Sequence, residues 1–211
     1  MKFILPPSLL ACLFVLVSFV PSKKIIPTTI PPSPLASYSA LWNDVKYQKC
    51  NTAAKVSYMT TAEKEVIYIL NLARMNPALF ANTVIKKYPV RKTNYYTSLL
   101  NTMLTLKPLK LLYPDSLCFA GALCHALNSG AEGYVGHNRS TDECRKKWYF
   151  NGECCDYGHN KPLDILMSLL IDEGVESLGH REICLSNYKK IGVSIQHHTV
   201  YSYTTVIDFH Y

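Results

Sequence analysis

With 211 residues, 48% of them hydrophobic and 18% charged, the chain can bury one ordinary core and is too apolar to remain disordered. Its formal charge of +7 is modest and scattered through stretches such as "KKY", "VRK" and "RKKWY". No long basic helix results, so a nucleic-acid partner is set aside and a basic surface open to anionic partners is expected instead.

The first 22 residues, "MKFILPPSLLACLFVLVSFVPS", place one lysine before an apolar run from Leu9 to Val20 and then small residues. That is the order of a secretory leader, with cleavage expected after Ser22. The run is about 12 residues, short of the roughly 20 a spanning helix needs. "LLAC" at 9–12 also has the look of a lipoprotein box, but the chain stays hydrophobic beyond Cys12; an uncleaved anchor is a further alternative. Residues 23–57 read as a Pro-rich linker and a transition segment, and residues 58–211 as the folded domain.

That domain opens at "TTAEKEVIYILNLARMNP". Thr60 and Glu63 have the spacing of a capping box, and Val66, Ile69, Leu70 and Ala73 mark one buried helix face. Asn76-Pro77 starts a second helix with Pro at its first position, ending before Pro89. "TNYYTSLLNTMLTL" predicts a third. Asp115 caps a fourth, "SLCFAGALCHALNSGAEG", whose small side chains suit a central helix closely approached by its neighbours. After the loop "GYVGHNRS" come a short helix through "DECRKKWYF", a turn or short strand at "NGECCDYG", and an amphipathic helix "KPLDILMSLLIDEGV" capped by Gly174. Ile191, Val193 and Ile195 then alternate with polar residues, and a turn near His198–Thr199 leads into a β-branched and aromatic run, predicting a C-terminal β-hairpin. The expected fold class is α+β, with helices packed on an antiparallel sheet.

Of eight cysteines, seven remain if Cys12 leaves with a leader. In an oxidising compartment most should pair. Without a tight CxxC repeat, a structural zinc site is not expected. The odd count leaves one thiol free or intermolecular, and Cys144 with Cys154 or Cys155 is the favoured local pair.

Four polar stretches fall in loops or at helix ends: "GHN" with His137, "GE" with Glu153, "IDEG" with Glu173 and "GHR" with His180. Two imidazoles and two carboxylates suit zinc or copper, the carboxylates orienting the rings from behind. The same four could serve acid–base chemistry. Singly, each could equally be structural, a loop histidine bonding a carbonyl or "GE" capping a turn. The spacing matches no compact metal motif such as HExxH.

The order of "LNLARMNP", "FAGALCHALNSGAEG" leading to "GHNRS", then "NGE", then "GHREICLSNYKKIGVSI" and a closing hairpin resembles the CAP superfamily, the SCP-like domains of cysteine-rich secretory proteins, and within it the bacterial-type branch. The resemblance spans about residues 58–211. It implies an α-β-α sandwich with a shallow cleft lined by two histidines and two acidic residues, in some members holding Zn2+. His137 matches the first histidine, Glu153 the glutamate of the family's "GEN" motif, and His180 the second histidine. For the second acidic residue Glu173 falls nearest, flanked by Asp172 and Glu176. The family's "GENI" is "GECC" here, so the chain departs from the pattern after Glu153.

Three functions are weighed on this basis. The first is a secreted or membrane-anchored binding module for a small ligand, a lipid or sterol, or a protein partner. The second is a zinc-dependent hydrolase or peptidase, with His137 and His180 holding the metal, Glu153 activating water and Glu173 orienting a ligand. The third is a purely structural disulfide-bonded domain. No Ser, Cys or Thr nucleophile has an obvious partner base, and the enzyme reading ranks last. Arg74 and Arg181 are expected to tie helices to loops, and Trp148 and Tyr149 to wall the cleft.

Overall fold

The structure, a computed structural model, describes residues 1–3 and 31–211, and the folded body is Pro32–Tyr211. The expected leader, the lipoprotein box and the first part of the linker lie outside the described residues. Among the described residues no helix is long and apolar enough to cross a membrane.

Among the described residues, besides three short 3-10 helices, seven α-helices and four strands follow in order: α1 (Thr61–Met75), α2 (Pro77–Thr83), α3 (Asn94–Thr105), β1 (Tyr113–Pro114), α4 (Ser116–Glu132), α5 (Asp142–Lys146), β2 (Gly152–Tyr157), α6 (Pro162–Ile171), α7 (Gly179–Cys184), β3 (Lys190–His198) and β4 (Ser202–His210). The strands lie in the order β1-β3-β4-β2. The hairpin β3–β4 and the β2–β4 pair are antiparallel, whereas the two-residue β1 runs parallel to β3. The sheet is therefore mixed rather than wholly antiparallel. Between β1 and β3 the chain runs through α4 to α7, so no hairpin turn forces the two strands antiparallel.

Helices cover both faces. Residues 152, 154 and 156 of β2 alternate with 153, 155 and 157, as strand geometry requires. Cys154 joins a core with α1 and α6, while Cys155 packs with Ala122 and Ala126 of α4. The small-residue helix is central, as its composition predicts. A Cβ on Gly192 of β3 would stand 2.1 Å from the Phe119 nitrogen, and one on Gly130 of α4 would stand 2.1 Å from the His197 carbonyl oxygen. Only glycine permits strand and helix to approach this closely.

The capping box forms: Glu63 N–H donates to Thr60 Oγ1 and Thr60 N–H to Glu63 Oε2. Glu63 Oε1 also accepts from Ile195 N–H, pinning α1 to β3. Arg74, fully buried, donates to the carbonyls of Lys110, Cys184 and Ser186. Arg181 donates to those of Leu170, Tyr95 and Ile171 and to Ser98 Oγ. Arg74 ties α1 to loops as expected, whereas Arg181 ties α7 to the helices α3 and α6.

Three features differ from the sequence reading. From Leu35 onward the supposed linker and transition segment is core: Leu35, Trp42, Tyr47, Cys50 and Ala53 are buried, and Trp42 Nε1–H donates to Thr83 Oγ1 at 3.0 Å. Burying such side chains is worth about 1.5–3 kcal/mol each, enough to order a stretch that lacks helical periodicity. The polar stretch "GHRE", read as a loop or a helix end, forms the first turn of a separate helix, α7. α6 ends at Ile171 with left-handed Asp172 (φ 59°) as its C-cap, two residues before Gly174.

The disulfide is Cys124–Cys144, not the expected link from Cys144 to Cys154 or Cys155. Cys124 faces outward from α4 towards α5, whereas β2 turns Cys154 to the opposite face of the sheet. A disulfide accords with an oxidising compartment outside the cytoplasm.

Candidate functional site

β2 is an edge strand, and the layers above and below it meet across its open edge. From the α4 side, the loop after that helix carries His137, whose Nδ1 lies 2.7 Å from Glu153 Oε1 on β2. From the other side, α7 carries His180, whose Nδ1 lies 2.8 Å from Asp172 Oδ1. The two rings are 6.3 Å apart between centroids. His137, Glu153 and His180, drawn from three separate stretches of sequence, therefore meet. The second acid is Asp172. Glu173 is turned outward, accepting from Thr93 Oγ1 at the wall of a cavity beside His180, and Glu176 makes no contact with either histidine among the described hydrogen bonds. A left-handed Asp is tolerated where most residues are not, and this conformation turns the short Asp172 carboxylate inward and sends its neighbour out.

The carboxylates are held differently. Asp172 Oδ2 accepts from the backbone N–H groups of His180 and Arg181, the open donors of the first turn of α7. Glu153 is gripped by Arg139, whose Nη1 donates to Oε1 at 3.0 Å and whose Nη2 donates to Oε2. The Arg139 guanidinium is buried beneath the rings of Phe150, 4.8 Å away, and Trp148, 5.4 Å away, a cation–π arrangement. Trp148 thus covers the arginine rather than walling the cleft.

Beside Glu153 lies Asp208 of β4, its cross-strand partner. Asp208 is fully buried, and its nearest cation is Arg139 Nη2 at 3.8 Å. As a carboxylate it has no donor in reach. Burial and the Glu153 charge push its pKa well up, and the protonated acid can donate to Glu153. Burial alone would raise Glu153 too, but the hydrogen bonds from His137 and Arg139, with the Arg139 charge, hold it well below the usual carboxylate range. The bond to Glu153 raises the pKa of His137.

Two histidines not singled out from sequence belong to the same neighbourhood. His125 of α4 is buried, with Nε2 2.8 Å from the Gly136 carbonyl oxygen, and burial lowers its pKa. Ligand atoms of His125, Glu153 and Cys155 lie within 4.8 Å of one another, a set that could hold a metal ion. His159 lies with Nδ1 3.1 Å from Asp156, which burial raises despite the opposing pull of Ser168 and His159. His159, Asp156 and His180 open on a cavity of about 530 Å³ whose walls include Tyr88, Leu169 and Val175. "GHNRS" displays Arg139 two residues after His137, and "VIDFHY" displays Asp208 as a carboxylate inside an apolar run. These were the signals available for Arg139 and Asp208, which sequence reasoning missed along with the two histidines.

No family model and no curated protein matches the chain. Among solved structures, an outer surface protein from Borrelia burgdorferi is similar, at 20% identity and a TM-score of 0.39, covering 57% of this chain and 94% of that one. At that level the likeness carries no functional argument.

Proposed function

We propose that the chain is a CAP-like exported binding module whose ligand enters the cleft over the edge of β2, with His137 and His180 as its polar contacts. The observation that carries this reading is the facing pair of rings, each with Nδ1 engaged by a carboxylate. A ring that donates Nδ1–H leaves the Nε2 lone pair for whatever enters, the arrangement typical of histidines that bind a metal. Two imidazoles supply half of a tetrahedral zinc shell. The remainder would come from water or from the ligand itself, which suits reversible rather than structural binding.

The buried set of His125, Glu153 and Cys155 is the poorer host for Zn2+. Both Glu153 oxygens are occupied by Arg139 and His137, the arginine repels a dication, and burial pushes the Cys155 thiol well up. The grip of Arg139 also argues against the hydrolase reading, because a carboxylate so stabilised is a weak base for activating water. The adjoining cavity lies in the usual size range for small ligands, about 300–1,000 Å³, and its partly apolar wall favours a small molecule or lipid with one polar end over a protein partner.

Calorimetric titration of zinc into metal-stripped protein tests this. The expected result is one binding event, lost in H137A/H180A and kept in H125A. Loss in H125A alone would move the ion to the buried set. No binding by the parent would remove metal from the reading, and lipid and sterol titrations would then test the cavity.

A further inference from the structure

We propose that Cys154 and Cys184 form a second disulfide, which staples the strand carrying Glu153 to the helix carrying His180. The two residues stand on facing elements: Cys154 on the face of β2 that looks at α7, and Cys184 as the last residue of α7. Both are fully buried in one core, and Cys184 stands one helical turn along α7 from His180. The approach of the two elements is close throughout. Cys154 Sγ lies 3.6 Å from the His180 carbonyl oxygen, and a Cβ added to Gly152 would come within 3.1 Å of Ile183 Cγ2. Among the described residues five cysteines are unlinked. Cys155 is turned to the opposite face of the sheet, packed with α4, and Cys50 is placed against Met75 Sδ at 3.3 Å. Cys118 lies by the Tyr149 carbonyl oxygen at 3.7 Å.

The chemistry is that of thiol–disulfide exchange. The two thiols lose two protons and two electrons as the S–S bond forms, and a disulfide of the oxidant, a thiol–disulfide oxidoreductase or oxidised glutathione, is reduced to two thiols. Because both sulfurs are fully buried in the folded chain, the bond would close during folding, before the core excludes the oxidant. Once made, it would hold the two walls of the histidine cleft in register, an effect independent of whether that cleft binds metal.

The test is to refold the full chain with a mixture of reduced and oxidised glutathione until Cys124–Cys144 is fully linked, block remaining thiols under denaturing conditions, and map tryptic peptides by mass spectrometry. The peptide Trp148–Arg181 should appear joined to Glu182–Lys189, with three blocked cysteines in residues 31–211 instead of five. Cys154→Ser should abolish the link, and Cys155→Ser should leave it intact. Recovery of Cys154 and Cys184 in blocked form while Cys124–Cys144 is linked would overturn the proposal, as would a link that survives Cys154→Ser. In the linked protein, amide hydrogen exchange across 180–184 should slow at least several-fold relative to Cys154→Ser.

Discussion

The two histidine–carboxylate pairs look alike from the ring side and differ behind it. His180 rests on a carboxylate held by two backbone N–H groups at the start of α7, donors that carry only partial charge and belong to the fold. His137 rests on a carboxylate held by a full cation, Arg139, which is itself buried and shared with a second acid, Asp208. The first arrangement is short-range and modest in energy. The second is a buried charge network, in which every member depends on the others for compensation. The same ring orientation is therefore reached on one side by backbone geometry and on the other by ion pairing, and the sides should fail differently.

The sharpest way to expose the difference is Arg139→Met. It removes the buried cation from Glu153 and Asp208 and leaves only half-exposed His137 beside Glu153, and a loss of about 3–5 kcal/mol is expected, read as a lowered urea midpoint. Asp172→Ala on the other side should cost less, about 1–3 kcal/mol, the penalty for stranding buried donors, by the same measurement. If the two losses came out equal, the contrast between ionic and backbone support would be wrong.

Asp208→Asn probes the network from its silent member. Asn is nearly the shape of a protonated Asp and keeps a donor towards Glu153, so at pH 5 the change should be within about 1 kcal/mol. The sign with pH follows from linkage. An acid with a raised folded pKa binds more protons folded than unfolded above its ordinary 3.8, so it makes stability fall as pH rises. The variant should lose that slope and gain on the parent between pH 5 and 8 in parallel denaturation curves.

The smallest effect belongs to the His137–Glu153 pair. The folded pKa of His137 is raised, so its contribution is complete below the ordinary 6.5 and fades as pH rises through the folded value. Glu153 is depressed, so its contribution is complete above the ordinary 4.5 and is lost as pH falls through the depressed value. The pair is therefore strongest between pH 4.5 and 6.5. His137→Gln should flatten the upper edge of that window only slightly, since the imidazole is half exposed to screening solvent. A change at the lower edge would instead implicate Arg139 as the partner disturbed.

Much of this was legible in local residue order. The capping box of α1, Pro77 at the head of α2, the small-residue α4 and the alternating β3 each follow from rules that act within a few residues, and neighbours along the chain enforce them. Cysteine pairing was not legible, because a strand sends Cys154 and Cys155 to opposite faces and sequence spacing is blind to faces. Nor was the core role of residues 35–53, where the apolar anchors Leu35, Trp42 and Tyr47 are spaced by no regular period and are ordered only by what they meet.

By itself the sequence determined the helices α1 to α6, the hairpin and the α+β class, since helix periodicity, strand alternation and capping are local properties, and it offered His137, Glu153 and His180 only as candidates. Only the tertiary structure decided that Asp172 rather than Glu173 serves His180, that Arg139 and Asp208 lie behind Glu153, and that Cys124 pairs with Cys144. Each of those turns on which way a side chain faces once the layers close on the edge of β2, and orientation across layers is set by packing between residues far apart in the chain.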